Sequence, residues 1–528
     1  MGKTEFYGAT ILSCVFLVLA IWLSTMLRSP TPTRPNSAHV VTVTQPAPLS
    51  TALSPKRASL RQPITSITPL TCEQRQQCYR TCHLELVESL PENLTFLDTV
   101  HPSVGFTHES WTKLIRLAEK RVIMAAYKSS FRGKHVLEKE HWSSAKFGDD
   151  VYETMKMAAM ERGIRLEAVE NYPPKDRGDN EDVSALADMG LMERRRLHMA
   201  RVFRAGVMHS KFLLVDDSHF YLGSANFDWR SLNQKMELGV HVERCPCLAD
   251  ELKILYDSYW AAAIEDNEDL PEASAFQDLP ALTSRSNPLT IRVGGVDTEV
   301  HVAASPRQLN GAKRDWDLDA IVSVIDEAKH ELDIHVMDYV PLFVYQKPRK
   351  FWPVIDDALR RAVIERGVRI RFLTAALHFT SESLHALRSL QIMGKAAWNG
   401  GKVDVKILDI PAVTDSHKAF ARERRTHRKF MINDDTLLIG TSNWSGDYFA
   451  NTTGVAIVMR QRKGQDREKA ALPLEQPLIN QARQLFERDW RSVYSSDLDS
   501  YMDRCYDQEK KRDLCKAGRM AYQQMTKN

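Results

Sequence analysis

The chain has 528 residues, 43% of them hydrophobic and 26% charged, with a formal net charge of +3. That length and balance suit a globular body of two or three domains and exclude a chain too polar to bury a core. The near-balanced charge does not decide for or against a nucleic-acid partner, because a local basic groove can sit on a neutral protein.

Residues 1–5 are a short stub. Phe6 to Leu27, "FYGATILSCVFLVLAIWLSTML", carry no charge over a length that spans a bilayer as a helix. A cleaved signal peptide is the rival reading. The run is longer than a signal core and no small-x-small cleavage site follows, which favours an uncleaved signal-anchor. Lys3 set against Glu5 leaves orientation undecided. Residues 28–70 read as a stalk. Half of the 42 positions from Ser29 to Leu70 are Ser, Thr or Pro and none is acidic. Such a stretch cannot pack a core and suits O-glycosylation. Asn93 (N-L-T) and Asn451 (N-T-T) are candidate glycosylation sites. Asn443 (N-W-S) also fits the sequon but lies inside a motif and is expected to be unmodified. Stalk and sequons favour a lumenal body and a cytosolic N-terminus.

Seven of the eight cysteines lie outside the apolar segment. Cys78, Cys82, Cys245 and Cys247 could form an all-cysteine zinc site, but C-x3-C and C-x-C are not the usual knuckle spacing. In an oxidising lumen they read as two disulfides. Cys505 and Cys515 pair with each other, or one of them with Cys72. One body cysteine is left over.

The body is written twice. "VYETMKMAAMERGIRLEAV" (151–169) parallels "IDDALRRAVIERGVRIRFL" (355–373), each a helix ended by E-R-G and followed by a strand. "WTKLIRLAEKRVIMAAYK" (111–128) parallels "LDAIVSVIDEAKHELDIHVMDYV" (318–340). The class is α/β: two duplicated lobes, each an open sheet with helices on both faces. A loop-like seam near 267–288 separates a first lobe, 71–285, from a second, 286–500, with a tail over 501–528.

Each lobe ends on one motif. "HSKFLLVDDSHFYLGSAN" contains His209, Lys211, Asp216, Ser224 and Asn226. "HRKFMINDDTLLIGTSN" contains His427, Lys429, Asp434, Thr441 and Asn443. One copy is weak, because a lone strand histidine is usually a core residue and a lone lysine is usually solvated. Recurrence inside matching elements overrides that bland reading. A pseudo-two-fold axis would bring His209 and His427 face to face across one cleft. Two lysines supply positive charge there, while Asn226, Asn443, Ser224 and Thr441 supply neutral donors. Such a set suits a phosphoryl group and needs no metal or cofactor. One histidine attacks phosphorus; the other protonates the leaving oxygen and then activates water. Their opposite protonation states suit a pH near imidazole's ~6.5. Asp216 and Asp434 complete the catalytic motif in an orienting role.

H-x-K-x4-D followed by G-S/T-x-N, present twice, resembles the phospholipase D superfamily. "HFYLGSANFDWRSLNQKMELGV", "FWPVIDDALRRAVIERGVRIRFL" and "IGTSNWSGDYF" resemble its type II membrane branch, family members three and four. That resemblance implies a duplicated phospholipase D fold behind a transmembrane helix. It also implies a lysosomal 5′ exonuclease that acts on single-stranded DNA and RNA, works without metal at acid pH, releases nucleoside 3′-phosphates and forms homodimers. The implied location is the endoplasmic reticulum, Golgi and endolysosome with a lumenal body, either anchored or cleaved to a soluble form. The resemblance joins Cys78 and Cys82 to Cys245 and Cys247. The branch's usual cysteine near Ala376 is missing, so the C-terminal disulfide must differ. A lipid hydrolase or transphosphatidylase is the alternative function, and a non-catalytic scaffold the second alternative.

A single-strand nuclease needs an aromatic platform. "MDYVPLFVYQKPRKFW" (337–352) interleaves aromatics with Lys347, Arg349 and Lys350. Tyr345 is the base-stacking candidate, while Phe351 and Trp352 are expected in the core.

Overall fold

The computed structural model describes residues 68–515, apart from 97–101, 103, 138–142, 177, 264–275, 376–379 and 463–475. The expected membrane segment, nearly all of the stalk, and Ala376 lie outside them. Among the described residues no helix is long and apolar enough to cross a membrane.

The first half contains α1 (Cys72–Thr81), β1 (His83–Ser89), α2 (Thr107–Leu117), β2 (Arg121–Ala126), α3 (Lys146–Arg162), β3 (Arg165–Asn171), β4 (Met192–Leu197), β5 (Lys211–Val215), β6 (His219–Gly223), β7 (Lys235–Glu243) and α4 (Pro246–Ala262). The second contains β8 (Leu289–Val293), β9 (Val296–Ser305), α5 (Asp317–Glu327), β10 (Glu331–Val336), α6 (Val354–Arg366), β11 (Arg369–Thr374), β12 (Lys402–Leu408), β13 (Arg425–Thr426), β14 (Lys429–Ile432), β15 (Thr436–Gly440), β16 (Gly454–Gln461) and α7 (Leu478–Arg491). The two E-R-G signals end α3 and α6 at Gly163 (φ 66°) and Gly367 (φ 71°). Both sit in the left-handed region where a Cβ would be strained.

Each half builds a mixed sheet. The first runs β1-β7-β6-β5-β2-β3-β4 and the second runs β9-β16-β15-β14-β10-β11-β12. Along these seven strands both have two parallel pairings at one end (β2-β3-β4 and β10-β11-β12) and antiparallel pairings for the rest, while β13 adds to β7 in parallel. The strand order is thus repeated, step for step.

Alternation along the strands fills three cores. Phe212 and Leu214 of β5, with Phe430 and Ile432 of β14, enter a core that both sheets share with α4 and α7. Leu213 and Val215 face the other way, onto α2 and α3. Met431 does the same in the second half, onto α5 and α6. Burying each such side chain is worth ~1.5–3 kcal/mol. The period-two switch, with both faces covered, explains why the run "FLLV" (212–215) is apolar throughout.

Disulfides Cys78–Cys247 and Cys82–Cys245 clamp α1 and the start of β1 to the start of α4. Cys505–Cys515 closes the C-terminal segment, and Cys72 is free and exposed. That segment packs on the second half, where Tyr501 is fully buried and bonds Asp513 at 2.8 Å. Asn93 is exposed in a turn, and Asn451 is half-buried against Gly206. Trp352 stacks on Phe449 (5.5 Å between centroids), as a core aromatic should. Phe351 departs from expectation. It is 70% exposed, because its two-residue strand pairs only with Leu342–Phe343 and turns one face to solvent.

A buried ionic cluster ties the halves together. Glu88 of β1 accepts both Arg488 Nη atoms of α7 at 2.7 Å and also pairs with Arg428. Asp489 pairs with Arg428 and accepts from Arg488 at 3.0 Å. Two carboxylates balance two guanidiniums, so each charge has its partner out of water. Removing one partner leaves a bare buried charge, which costs ~3–5 kcal/mol. Glu88→Ala should lose stability on that scale in denaturant unfolding. A loss under ~1 kcal/mol would show the cluster to be dispensable.

Candidate active site

The two hairpins place their polar residues by simple geometry. Lys211 opens β5, Gly223 closes β6, and the antiparallel pairing brings those ends together. Lys429 and Gly440 repeat this in β14 and β15. His209, Lys211, Asn226, His427, Lys429 and Asn443 are all buried. The residues that hold them in place come from the opposite half. His209 N–H donates to Thr453 Oγ1 at 2.9 Å, and His427 N–H donates to the Met236 carbonyl at 2.8 Å. Lys211 and Lys429 each donate to the carbonyl of their own histidine, the latter at 2.6 Å.

The aspartates are not in this cluster. Asp216 lies at the far end of β5, ~17 Å of strand away from Lys211. There it accepts three backbone N–H groups, Glu119, Lys120 and Arg121, at 2.6–3.0 Å. Asp434 accepts Lys329 N–H and His330 N–H at 2.6 and 3.3 Å. Both staple the turn before the adjacent strand, so the motif's acid is a folding residue. The two hydroxyls are engaged too. Ser224 Oγ donates to Glu237 at 2.6 Å and accepts the Leu238 N–H at 3.0 Å. Thr441 Oγ1 accepts the Val455 N–H at 3.0 Å. Ser224 is thereby committed to Glu237, whereas Thr441, whose oxygen only accepts, can still donate its O–H to a phosphate as expected from sequence.

Sequence reading missed Glu237, whose carboxylate meets His427 Nδ1 at 2.7 Å. Its signal was an acid inside the apolar strand "KMELGV". The first half thereby supplies the carboxylate that orients the second half's imidazole. The converse does not occur. Ser224 N–H bonds Leu238 O and Thr441 N–H bonds Val455 O, so Gly454 is the match of Glu237. A Cβ at Gly454 would lie 2.2 Å from Ser442 Oγ and 2.8 Å from Asp317 Oδ2. His209 is flanked instead by Tyr127 (4.7 Å) and, edge-on, by Tyr448 (5.0 Å), and its Nδ1 has no partner among the described residues.

Tyr345 joins this shell from outside. It is 61% exposed, and its hydroxyl bonds Tyr448, which in turn bonds Asn443. The predicted stacking candidate therefore sits at the mouth of the cleft.

Burial is the largest influence on charge here. It pushes Lys211 well below its ordinary range, and Lys429 adds to the effect. Lys429 is pulled down to about 7 by burial, opposed by Glu237 and reinforced by Lys235 and Arg425. Burial and the two lysines hold His209 low, and His427 likewise. Burial raises Glu237. Burial in the cleft thus disfavours protonation, and an arriving anion reverses that.

A model described as "PLD3/4, PLD-like domain" matches residues 103–412. The chain belongs to this family. It is 35% identical over 457 residues to the 5'-3' exonuclease PLD3 of Xenopus laevis, covering 84% of this chain and 88% of that one. It is 36% identical over 432 residues to the human 5'-3' exonuclease PLD4, covering 82% of each. The solved phosphatidylserine synthase of Haemophilus influenzae Rd KW20 shares the fold, with a TM-score of 0.51 at 11% identity over 86% of this chain and 96% of that one.

Burial leaves Lys429 largely uncharged above about 7. An anion restores its charge, so binding takes up a proton and tightens as pH falls. Sulfate, whose own charge is fixed, should bind more tightly as pH drops from about 9 to about 6. A pH-independent sulfate affinity by calorimetry would rule this out.

Proposed function

We propose that this protein is a phosphodiesterase that shortens single-stranded DNA or RNA from the 5′ end. The carrying observation is the convergence of His209, Lys211, His427 and Lys429 in one buried, cross-braced cleft, in a chain whose relatives are named 5'-3' exonucleases. His209 attacks phosphorus, the P–O5′ bond breaks, and a phosphohistidine forms. Burial and the lysines favour the neutral form of both imidazoles. His209 suits attack because its Nδ1 has no partner among the described residues, whereas the Glu237 carboxylate beside His427 Nδ1 stabilises a proton there. His427, braced by Glu237, gives a proton to the departing O5′. Water then loses a proton to His427, attacks the phosphohistidine and frees a nucleoside 3′-phosphate. Lys211, Lys429, Asn226 and Asn443 hold the phosphoryl oxygens throughout.

The wider setting is part of the same proposal. A membrane anchor over 6–27, glycosylation at Asn93 and Asn451, a lumenal endolysosomal body and a homodimer all fit the sequence. So does duplication about a pseudo-two-fold axis, which the repeated strand order supports.

The full chain should remove nucleotides stepwise from 5′-hydroxyl single-stranded DNA at about pH 5 in EDTA. His209→Ala and His427→Ala should each abolish this. With a nitrophenyl ester, whose leaving group needs no proton, His427→Ala should still release a burst of about one equivalent of nitrophenolate, whereas His209→Ala should release none. Equal loss in both would overturn the assignment of roles. Tyr345→Ala should raise KM for the strand about tenfold, a stacked base being worth ~1–3 kcal/mol. An unaltered KM would remove Tyr345 from the substrate path.

A further inference from the structure

Beside the histidine cluster lies a second group of buried charges with no part in the chemistry above. β13 crosses from the second half to pair in parallel with β7, with Arg425 opposite Lys235 and Thr426 opposite Met236. In extended chain, residues two apart share a face. Lys235 therefore stands on the same face as Glu237, and Arg425 on the same face as His427. Arg425 and Lys235 form a pair displaced along the strands from His427 and Glu237. Two residues of strand advance ~7 Å, the scale of the step between neighbouring phosphates in an extended nucleic acid.

Both cations are buried, Lys235 at 5% exposure and Arg425 at 8%. They converge on one atom. Glu423 Oε2 lies 3.0 Å from Lys235 Nζ and 3.8 Å from Arg425 Nη2. Glu423 belongs to no strand or helix and sits in a turn closed by Phe420. Arg425 Nε is buried with no hydrogen-bond partner among the described residues. The guanidinium thus has a donor to spare while a glutamate oxygen occupies the space between the two cations.

We propose that Lys235 and Arg425 form a second phosphate subsite for the internucleotide phosphate next to the scissile one, and that Glu423 holds this place until substrate displaces it. The proposal rests on the single-strand exonuclease reading. A guanidinium fork suits phosphate oxygens better than a single carboxylate oxygen at 3.8 Å. Displacing Glu423 costs its pairing with both cations, so the subsite favours a strand that carries a second phosphate over a ligand that carries one.

The test compares two substrates on the full chain: a dinucleoside monophosphate, with the scissile phosphate alone, and a hexanucleotide. Arg425→Met should raise KM for the hexanucleotide about tenfold more than for the dinucleoside monophosphate. It should also lower the salt dependence of hexanucleotide cleavage by about one unit of log–log slope. Glu423→Gln should shift the KM ratio the opposite way. A purely structural glutamate would instead weaken both substrates together. Equal effects on the two substrates in both variants would overturn the subsite and leave the exonuclease reading standing. Failure of the wild-type chain to cleave either would overturn both.

Discussion

Two lysine amino groups buried beside two imidazoles are the constraint around which this molecule is built. Burial disfavours a charge on any of them and each proton taken up makes the neighbours harder to protonate, so the cleft holds its protons weakly. Such a cleft is stable only if the surrounding structure cannot relax to let the charges apart. The cross-bonded backbones of His209 and His427 prevent that locally. The cluster of Glu88, Arg428, Arg488 and Asp489 prevents it on the scale of the halves. Arg428 lies between His427 and Lys429 in sequence, so the contact that docks the second half also fixes the motif.

The repeated strand order does not bring a symmetric site with it. Both sheets follow one strand order, yet Glu237 in the first corresponds to Gly454 in the second. The space that a side chain would take at Gly454 is filled by Ser442 and by Asp317 from the start of α5, whose acid burial pushes up to about 7. One imidazole is therefore braced by a carboxylate and the other by aromatic rings.

Much of this was legible in the sequence, because helix ends, alternating strands and a duplicated motif are local signals. Glycine after E-R-G needs nothing distant to specify a left-handed stop. The histidines and lysines were legible because they recur. What could not be read depends on pairing across the chain. Ser224 looks like a phosphate ligand until β7 is laid beside it and Glu237 claims its hydroxyl. Asp216 and Asp434 look catalytic by proximity in sequence, but five residues of strand carry them to the far end of the hairpin. Phe351 looks like core by its type, and only the shortness of its hairpin leaves it in solvent. Glu237 was hidden because its partner lies 190 residues away.

The unequal bracing of the two histidines also bears on direction. A phosphodiester has two unlike sides, and a strand can be laid through a two-fold cleft in either sense. Identical halves would accept both senses equally and could cut on either side of phosphorus. With a carboxylate behind one imidazole and none behind the other, the two orientations present the leaving oxygen to different partners. Polarity of digestion then needs no separate reader of strand ends, because one half has a glutamate where the other has glycine.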